Sequence, residues 1–135
     1  MRTKADNSFE TGKMLAENND DKFWNSSVHC FYYSVLQYMK HLLNSHIAKP
    51  LPYSNQNTSG GSSHDFILDQ IKNRLTHTTA KFQSDFTQKF RCLRQLRVEA
   101  DYSDKQFTQA ECLDCRDKAT ELFRLLNNSF KGKTA

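Results

Sequence analysis

Glycine and proline are scarce in this chain of 135 residues, which has only four glycines and two prolines. A β-sandwich or β-barrel needs turn residues at short and regular intervals, so this scarcity argues against the all-β classes. Collagen-like and low-complexity chains are excluded for the same compositional reason. The sequence therefore predicts a mostly helical protein with one interruption, where four of the six residues cluster: Pro50, Pro52, Gly60 and Gly61.

Long hydrophobic runs are also missing. No stretch approaches the ~20 apolar residues of a membrane-spanning helix, and the first residues, MRTKADNSFETGK, contain no apolar core of a signal peptide. We therefore expect a cytoplasmic protein without a membrane partner. The four cysteines are expected to be reduced thiols, because disulfide scaffolds belong to oxidising compartments.

Positive charge is in modest excess but unevenly distributed. The chain has 19 basic and 15 acidic residues and a net charge of +4. Residues 70–97 contain seven basic side chains and one acid, a local net charge of +6. Such a segment is compatible with a polyanion such as nucleic acid, but also with a solvated helix face or a contact with an acidic protein. The basic residues are Lys72, Arg74, Lys81, Lys89, Arg91, Arg94 and Arg97.

The spacing of apolar residues predicts one all-α domain over 1–135, an up-and-down bundle of about five helices. The residues between the second and third helices, 51–63, are rich in Asn, Ser and Gly and are predicted to form a flexible loop. The predicted helices cover about 3–18 (with a weak stripe of Phe9, Met14 and Leu15), 22–46, a third that begins near Ser62 or Ser63, 79–101, and a fifth that opens with a capping box from Thr108 to Glu111.

Arg97 is the most informative residue of the fourth helix. At 100° per residue it falls inside the arc of apolar side chains, with Arg94 and Asp101 at the border. A charge that faces a core must be paired or line a cleft. One interpretation is an ion pair between Arg97 and Asp101, at the edge of the bundle or at a dimer interface. The other is an arginine presented to a phosphate, which suits its planar guanidinium.

Two motifs resemble those of HEPN domain proteins. The run LRQLRVEADY, residues 93–102, resembles the family's LRxxRxxADY stretch. The earlier run VHCFYYSVL, residues 28–36, is similar to the family's A-x-x-x-YYA-x-F helix. His64 also stands where the family often has a histidine. The resemblance covers about residues 8–130, in the same helix order.

This resemblance implies a compact helical bundle that usually dimerises. Many members are encoded beside a small nucleotidyltransferase as a toxin–antitoxin pair, and many are metal-independent ribonucleases. The catalytic motif of these ribonucleases is an arginine and a histidine with four to six residues between them. Arg97 matches the arginine, but residues 102–104 are Tyr, Ser and Asp. Because tyrosine, with a pKa near 10, is a poor general base at neutral pH, the sequence argues against ribonuclease activity.

The resulting prediction is a HEPN-like homodimer that binds RNA or a nucleotide, or docks onto a nucleotidyltransferase partner. The candidate ligand-binding residues are Arg97, Arg94, Asp101 and Tyr102. A ribonuclease that uses Arg97 and Tyr102 in a dimer cleft remains an alternative, as does a purely structural interaction module. No cofactor or metal is expected, because the single C-x-x-C pair, Cys112 and Cys115, has no second pair at ligand spacing.

Overall fold

Five α-helices build the residues that the computed structural model describes, which are 2–57, 62–75 and 78–135. There are also two short 3-10 turns, at Asp21–Phe23 and at Tyr53–Asn55. Within those ranges the chain forms no strand, only an isolated antiparallel bridge between His46 and Thr134. The predicted all-α class is confirmed. The helices are α1 (Arg2–Glu17), α2 (Trp24–Ser45), α3 (Ser63–Asn73), α4 (Ala80–Tyr102) and α5 (Gln109–Phe130).

The last three helices begin where the sequence predicts, because a side-chain oxygen caps each one. The Ser62 hydroxyl accepts from the third backbone N–H of α3, and the Thr79 hydroxyl accepts from that of α4. At α5 the capping box is complete, with Thr108 and Glu111 each bonded to the other's backbone N–H. These bonds satisfy donors that a helix start leaves unpaired.

Helix α2 is the centre of the bundle and contacts each of the other four helices. A helix that is buried on most of its circumference needs apolar residues all round. The buried side chains of all five helices form one hydrophobic cluster. The contribution of α2 includes Val28, Phe31, Tyr32, Val35, Leu36, Met39, Leu42 and Leu43.

Helix α1 buries small residues completely, and only part of the predicted stripe packs against the core: Phe9 does, with its ring centroid 5.4 Å from that of Phe31. Met14 of that stripe is 71% exposed, so its predicted burial is wrong. A Cβ atom at Gly12 would lie 2.9 Å from the ring of Phe31 on α2. Glycine is therefore required for the close approach of the two helices. The buried residues of α1 are Ala5, Gly12 and Ala16.

The predicted loop 51–63 does lie between α2 and α3, but its first residues are bound to α2. Gln56 is only 2% exposed, and its Nε2 donates to the carbonyl oxygens of Lys40 and Leu51, each at 2.9 Å. The last two residues of the predicted loop belong to the cap and first turn of α3. Its central residues, 58–61, lie outside the described part of the chain.

Candidate functional site

Arg97 lies on the core-facing side of α4, as its position in the apolar arc predicts. The residue is 6% exposed. Its Cζ atom lies 5.0 Å from the ring centroid of Tyr32, 5.4 Å from that of Tyr33 and 5.9 Å from that of Tyr102. The faces of aromatic rings attract a cation. Three tyrosines from two helices thus surround the guanidinium.

Asp101 connects Arg97 to a histidine on another helix. The Nη1 atom of Arg97 lies 3.5 Å from Oδ2 of Asp101, so the ion pair predicted within α4 is confirmed. The same Oδ2 atom lies 2.8 Å from Nδ1 of His29 on α2. The side chain of His29 is about half exposed. Through the carboxylate of Asp101, polar contacts therefore connect the buried arginine to a partly exposed histidine.

One hydrogen-bond donor of Arg97 has no acceptor among the described residues. Its Nε atom is buried and has no hydrogen-bond partner among the described residues. Buried donors are normally paired, so an unpaired one needs a physical explanation. Of the three surrounding rings, Tyr32 is fully buried, Tyr33 is half-buried and Tyr102 is 77% exposed. The Tyr102 ring is thus the part of the enclosure that lies nearest to solvent.

A second histidine, His64, reaches the same region from the first turn of α3. Its Nδ1 atom lies 2.8 Å from the hydroxyl oxygen of Tyr32. Burial, together with the positive charges of Arg94 and Arg97, lowers the pKa of His64 to about 4. Burial also raises the pKa of Tyr32. At neutral pH the pair is therefore uncharged and joined by one hydrogen bond.

The side chain of Arg94 bonds to two residues at the start of α3. Its Nη1 atom lies 2.5 Å from Oδ1 of Asp65, and its Nη2 donates to the hydroxyl of Ser62 at 2.9 Å. These bonds tie the middle of α4 to the start of α3. Arg94 thereby helps to position His64, which lies between its two partners in the chain.

Three of the four predicted ligand-binding residues meet in one place, which we call the Arg97 cluster: Arg97, Asp101 and Tyr102 of α4, with Tyr32, Tyr33 and His29 of α2. The fourth, Arg94, faces α3 instead. Sequence reasoning missed His29, whose ring packs against that of Tyr33 with centroids 4.5 Å apart and planes tilted by 32°. The signal was its four-residue spacing from Tyr33, which places both on one helix face. His77 lies outside the described residues.

The basic segment 70–97 does not form one continuous charged face. Arg74 is buried, and its Nε and Nη2 donate to the carbonyl oxygen of Lys49 at 2.9 and 2.7 Å. Its Nη1 donates to the carbonyl oxygen of Gln70 at 2.8 Å. Two of the seven basic residues, Arg74 and Arg97, are therefore used inside the bundle.

The cysteines form neither a disulfide nor a metal site in the described part of the chain. All four are free thiols, and no three His, Cys, Asp or Glu residues there are placed to hold a metal ion. Cys112 donates from Sγ to the carbonyl oxygen of Trp24 at 3.1 Å. Burial raises the pKa of Cys112 to about 11 and that of Cys115 to about 12. Both thiols are thus protonated at neutral pH and contribute to the core.

Comparisons with known proteins add no relative to this picture: no family model, no curated protein and no solved structure matches the chain. The resemblance to HEPN domains rests on the two motifs and on the position of His64. In the described ranges, none of the helices combines the length and the apolar character that crossing a membrane requires.

Proposed function

We propose that this protein is a HEPN-like RNA- or nucleotide-binding protein whose ligand site is the Arg97 cluster. One observation carries the proposal: the buried Nε donor of Arg97 has no acceptor among the described residues. The guanidinium fork matches the oxygens of a phosphate, and such charge-assisted bonds are strong. Displacement of the exposed ring of Tyr102 would open this donor to a ligand.

The rings around Arg97 also suit the bases of a nucleic acid. Tyr102 is largely exposed, and the packed pair of His29 and Tyr33 is partly exposed. Stacking of one base on an aromatic side chain contributes ~1–3 kcal/mol and tolerates any base. The cluster thus offers a phosphate contact and stacking faces within one site.

Binding of a fluorescent single-stranded RNA and of a nucleoside monophosphate, measured at several salt concentrations, tests this proposal. We expect Tyr102→Ala to weaken RNA binding about tenfold, through loss of a stacking face. Arg97→Lys keeps the charge but loses the fork, and should weaken binding of both probes. Lys81→Gln removes an exposed charge of α4 outside the cluster, and it is the reference for a purely electrostatic loss because both cluster variants keep the net charge.

Two results would contradict binding at the Arg97 cluster. One is an RNA affinity that Tyr102→Ala and Arg97→Lys leave at the level of Lys81→Gln. The other is an affinity that does not fall with salt, because phosphate contacts release counterions. A chain that binds neither probe would favour the purely structural interaction module.

A metal-independent ribonuclease is the second candidate, and one contact favours it. His29 of α2 lies 2.8 Å from Asp101, and it could take the role of the histidine that α4 lacks. In this reaction His29 would remove the proton of a ribose 2′-hydroxyl while Asp101 orients the imidazole. Arg97 would bind the phosphate while the 2′-oxygen attacks phosphorus and the P–O5′ bond breaks, and the leaving 5′-oxygen would take up a proton from solvent. Tyr102, the other catalytic candidate from the sequence, is exposed beside it.

RNA cleavage in the presence of a chelator separates the two candidates. Cutting by the wild type that both His29→Asn and Arg97→Lys abolish would support the ribonuclease. Intact RNA in all samples, with binding retained by the wild type, would support the binding protein. Circular dichroism of each variant checks that the helices are preserved.

The homodimer and the nucleotidyltransferase partner of a toxin–antitoxin pair are proposed on the resemblance alone. Light scattering at micromolar concentration tests the dimer, and a monomeric mass would contradict it. Co-expression with the product of the neighbouring gene tests the partner, provided that gene encodes a small nucleotidyltransferase. Co-purification in a fixed ratio is the expected result.

A further inference from the structure

A polar groove lies between the end of α3 and the first half of α4. No residue of the Arg97 cluster lines it. Its volume is about 380 Å³, which is within the range of ~300–1,000 Å³ typical of small-molecule sites. None of the described side chains that line it is acidic. The polar ones are Lys72 of α3 and Gln83, Ser84, Thr87, Gln88 and Arg91 of α4.

Thr87 gives this groove a buried donor that the protein does not use. The residue is 7% exposed, and its Oγ1 atom has no hydrogen-bond partner among the described residues. A threonine inside a helix commonly bonds to the carbonyl oxygen four residues earlier, but Thr87 does not. An unpaired buried hydroxyl costs free energy. Because Oγ1 exposes almost no surface, a ligand acceptor would remove that cost once the Thr87 side chain turns toward the groove that it lines.

The two cations of the groove also have no acidic partner. The ion pairs of the described residues include Arg94 and Arg97, but neither Lys72 nor Arg91. Two positive side chains that share a concave surface, with no ion-pair partner among the described residues, raise the local concentration of anions. Arg91 also lines a neighbouring concavity with Arg94, whose charge is compensated by Asp65.

We propose that this groove binds a phosphate group. Arg91 supplies a planar fork for two phosphate oxygens, and Lys72 supplies a second charge. Thr87, Ser84 and Gln88 line the same groove and supply hydroxyl and amide donors, that of Thr87 after its side chain turns outward. The same chemistry would hold the phosphomonoester of a nucleotide-sized molecule or a phosphodiester of an RNA backbone. The groove shares no residue with the Arg97 cluster, so the inference does not depend on the proposed function.

Amide chemical-shift titrations of the full chain test this site, with inorganic phosphate, a nucleoside monophosphate and a short RNA without terminal phosphates as probes. We expect shifts in Lys72 and around Thr87 and Arg91, with chloride at matched ionic strength as the reference. Arg91→Gln should weaken phosphate binding about tenfold. Thr87→Val, which keeps the shape and removes the hydroxyl, should weaken it roughly fivefold.

The controls separate this site from the Arg97 cluster. Lys81→Gln removes an exposed charge of α4 that does not line the groove, and Arg97→Lys alters only the other site, so both should leave phosphate binding at the groove unchanged. Tight binding of the monophosphate with weak binding of the RNA would assign a phosphomonoester ligand, and the reverse order would assign an RNA backbone.

Two outcomes would overturn the inference: shifts that chloride reproduces, or an affinity for phosphate that is the same in Arg91→Gln and Lys81→Gln. Because Arg91 is exposed, the first of these variants tests the site even if Thr87→Val does not fold.

Discussion

The two halves of α4 use arginine in opposite ways. Arg91, at the end of the first half, is exposed and lines an open groove. Arg97, less than two turns later, is 6% exposed and is held by Asp101 and three tyrosine rings. A charge in water stays solvated and available, whereas a charge near the core must be compensated by the protein. Burial, and not residue type, therefore decides which arginine needs compensating contacts within the protein.

Substitutions of the two arginines should differ most in their effect on the free energy of unfolding. Arg97→Ala would leave a cavity among the rings and remove the cationic partner of Asp101. We expect this change to lower the free energy of unfolding by about 3 kcal/mol. Arg91→Ala should change it by about 0.5 kcal/mol or less. Urea denaturation followed by circular dichroism measures both, and equal effects would break the distinction between the two halves.

A smaller loss is expected for Tyr32→Phe, which removes the hydroxyl that bonds to His64. Because Tyr32 is buried and His64 is half-buried, the unpaired histidine nitrogen should cost about 1 kcal/mol. Tyr102→Phe is the matched control, since its ring is 77% exposed and its loss should stay within about 0.5 kcal/mol. Thermal unfolding distinguishes the pair, and similar melting temperatures would show that the Tyr32 hydroxyl is not structural.

The first half of α4 depends on its cap more than on its surface side chains. Thr79→Ala removes the acceptor for the N–H of Phe82 and should cost about 1 kcal/mol. Ser84→Ala, at an exposed position of the same half, should be neutral or slightly stabilising, because alanine is the better helix former. Chemical denaturation of the two variants tests this, and a destabilised Ser84→Ala would contradict it.

The smallest effect concerns pH. The pKa of His64 is about 4 in the fold, below its ordinary value near 6.5. The unfolded chain therefore binds more protons between these values, so stability rises with pH through this window and falls as the solution is acidified. His64→Gln should reduce the slope of melting temperature against pH. It should not abolish it, because the pKa values of His41 and His46 are lowered as well. An unchanged slope would contradict the assignment.

Local features of the chain could be predicted well because they depend on neighbours three or four residues apart. The capping box that starts α5, the inward position of Arg97 and its pair with Asp101 are all of this kind. The burial of α1 was misjudged at Met14, because small residues such as Gly12 carry almost no apolar signal. Their role is visible only once the facing ring of Phe31 is in place.

The sites themselves depend on residues far apart in sequence. His29 and Asp101 are separated by 72 positions, and Tyr32 and His64 by 32. No periodicity relates such residues, so the contact between His29 and Asp101 could not be predicted from the sequence. The groove on α4 depends in the same way on Lys72, which α3 brings to the side of Arg91.

By itself, the sequence determined that the chain is helical, where three of its helices begin, and that one arginine faces the core. Each of these follows from helical periodicity and from hydrogen bonds within one turn. Only the tertiary structure decided which positive charges are buried and which remain available. That outcome depends on the packing of α2 and α3 against α4, which surrounds Arg97 with aromatic rings and leaves Lys72, Thr87 and Arg91 along an open groove.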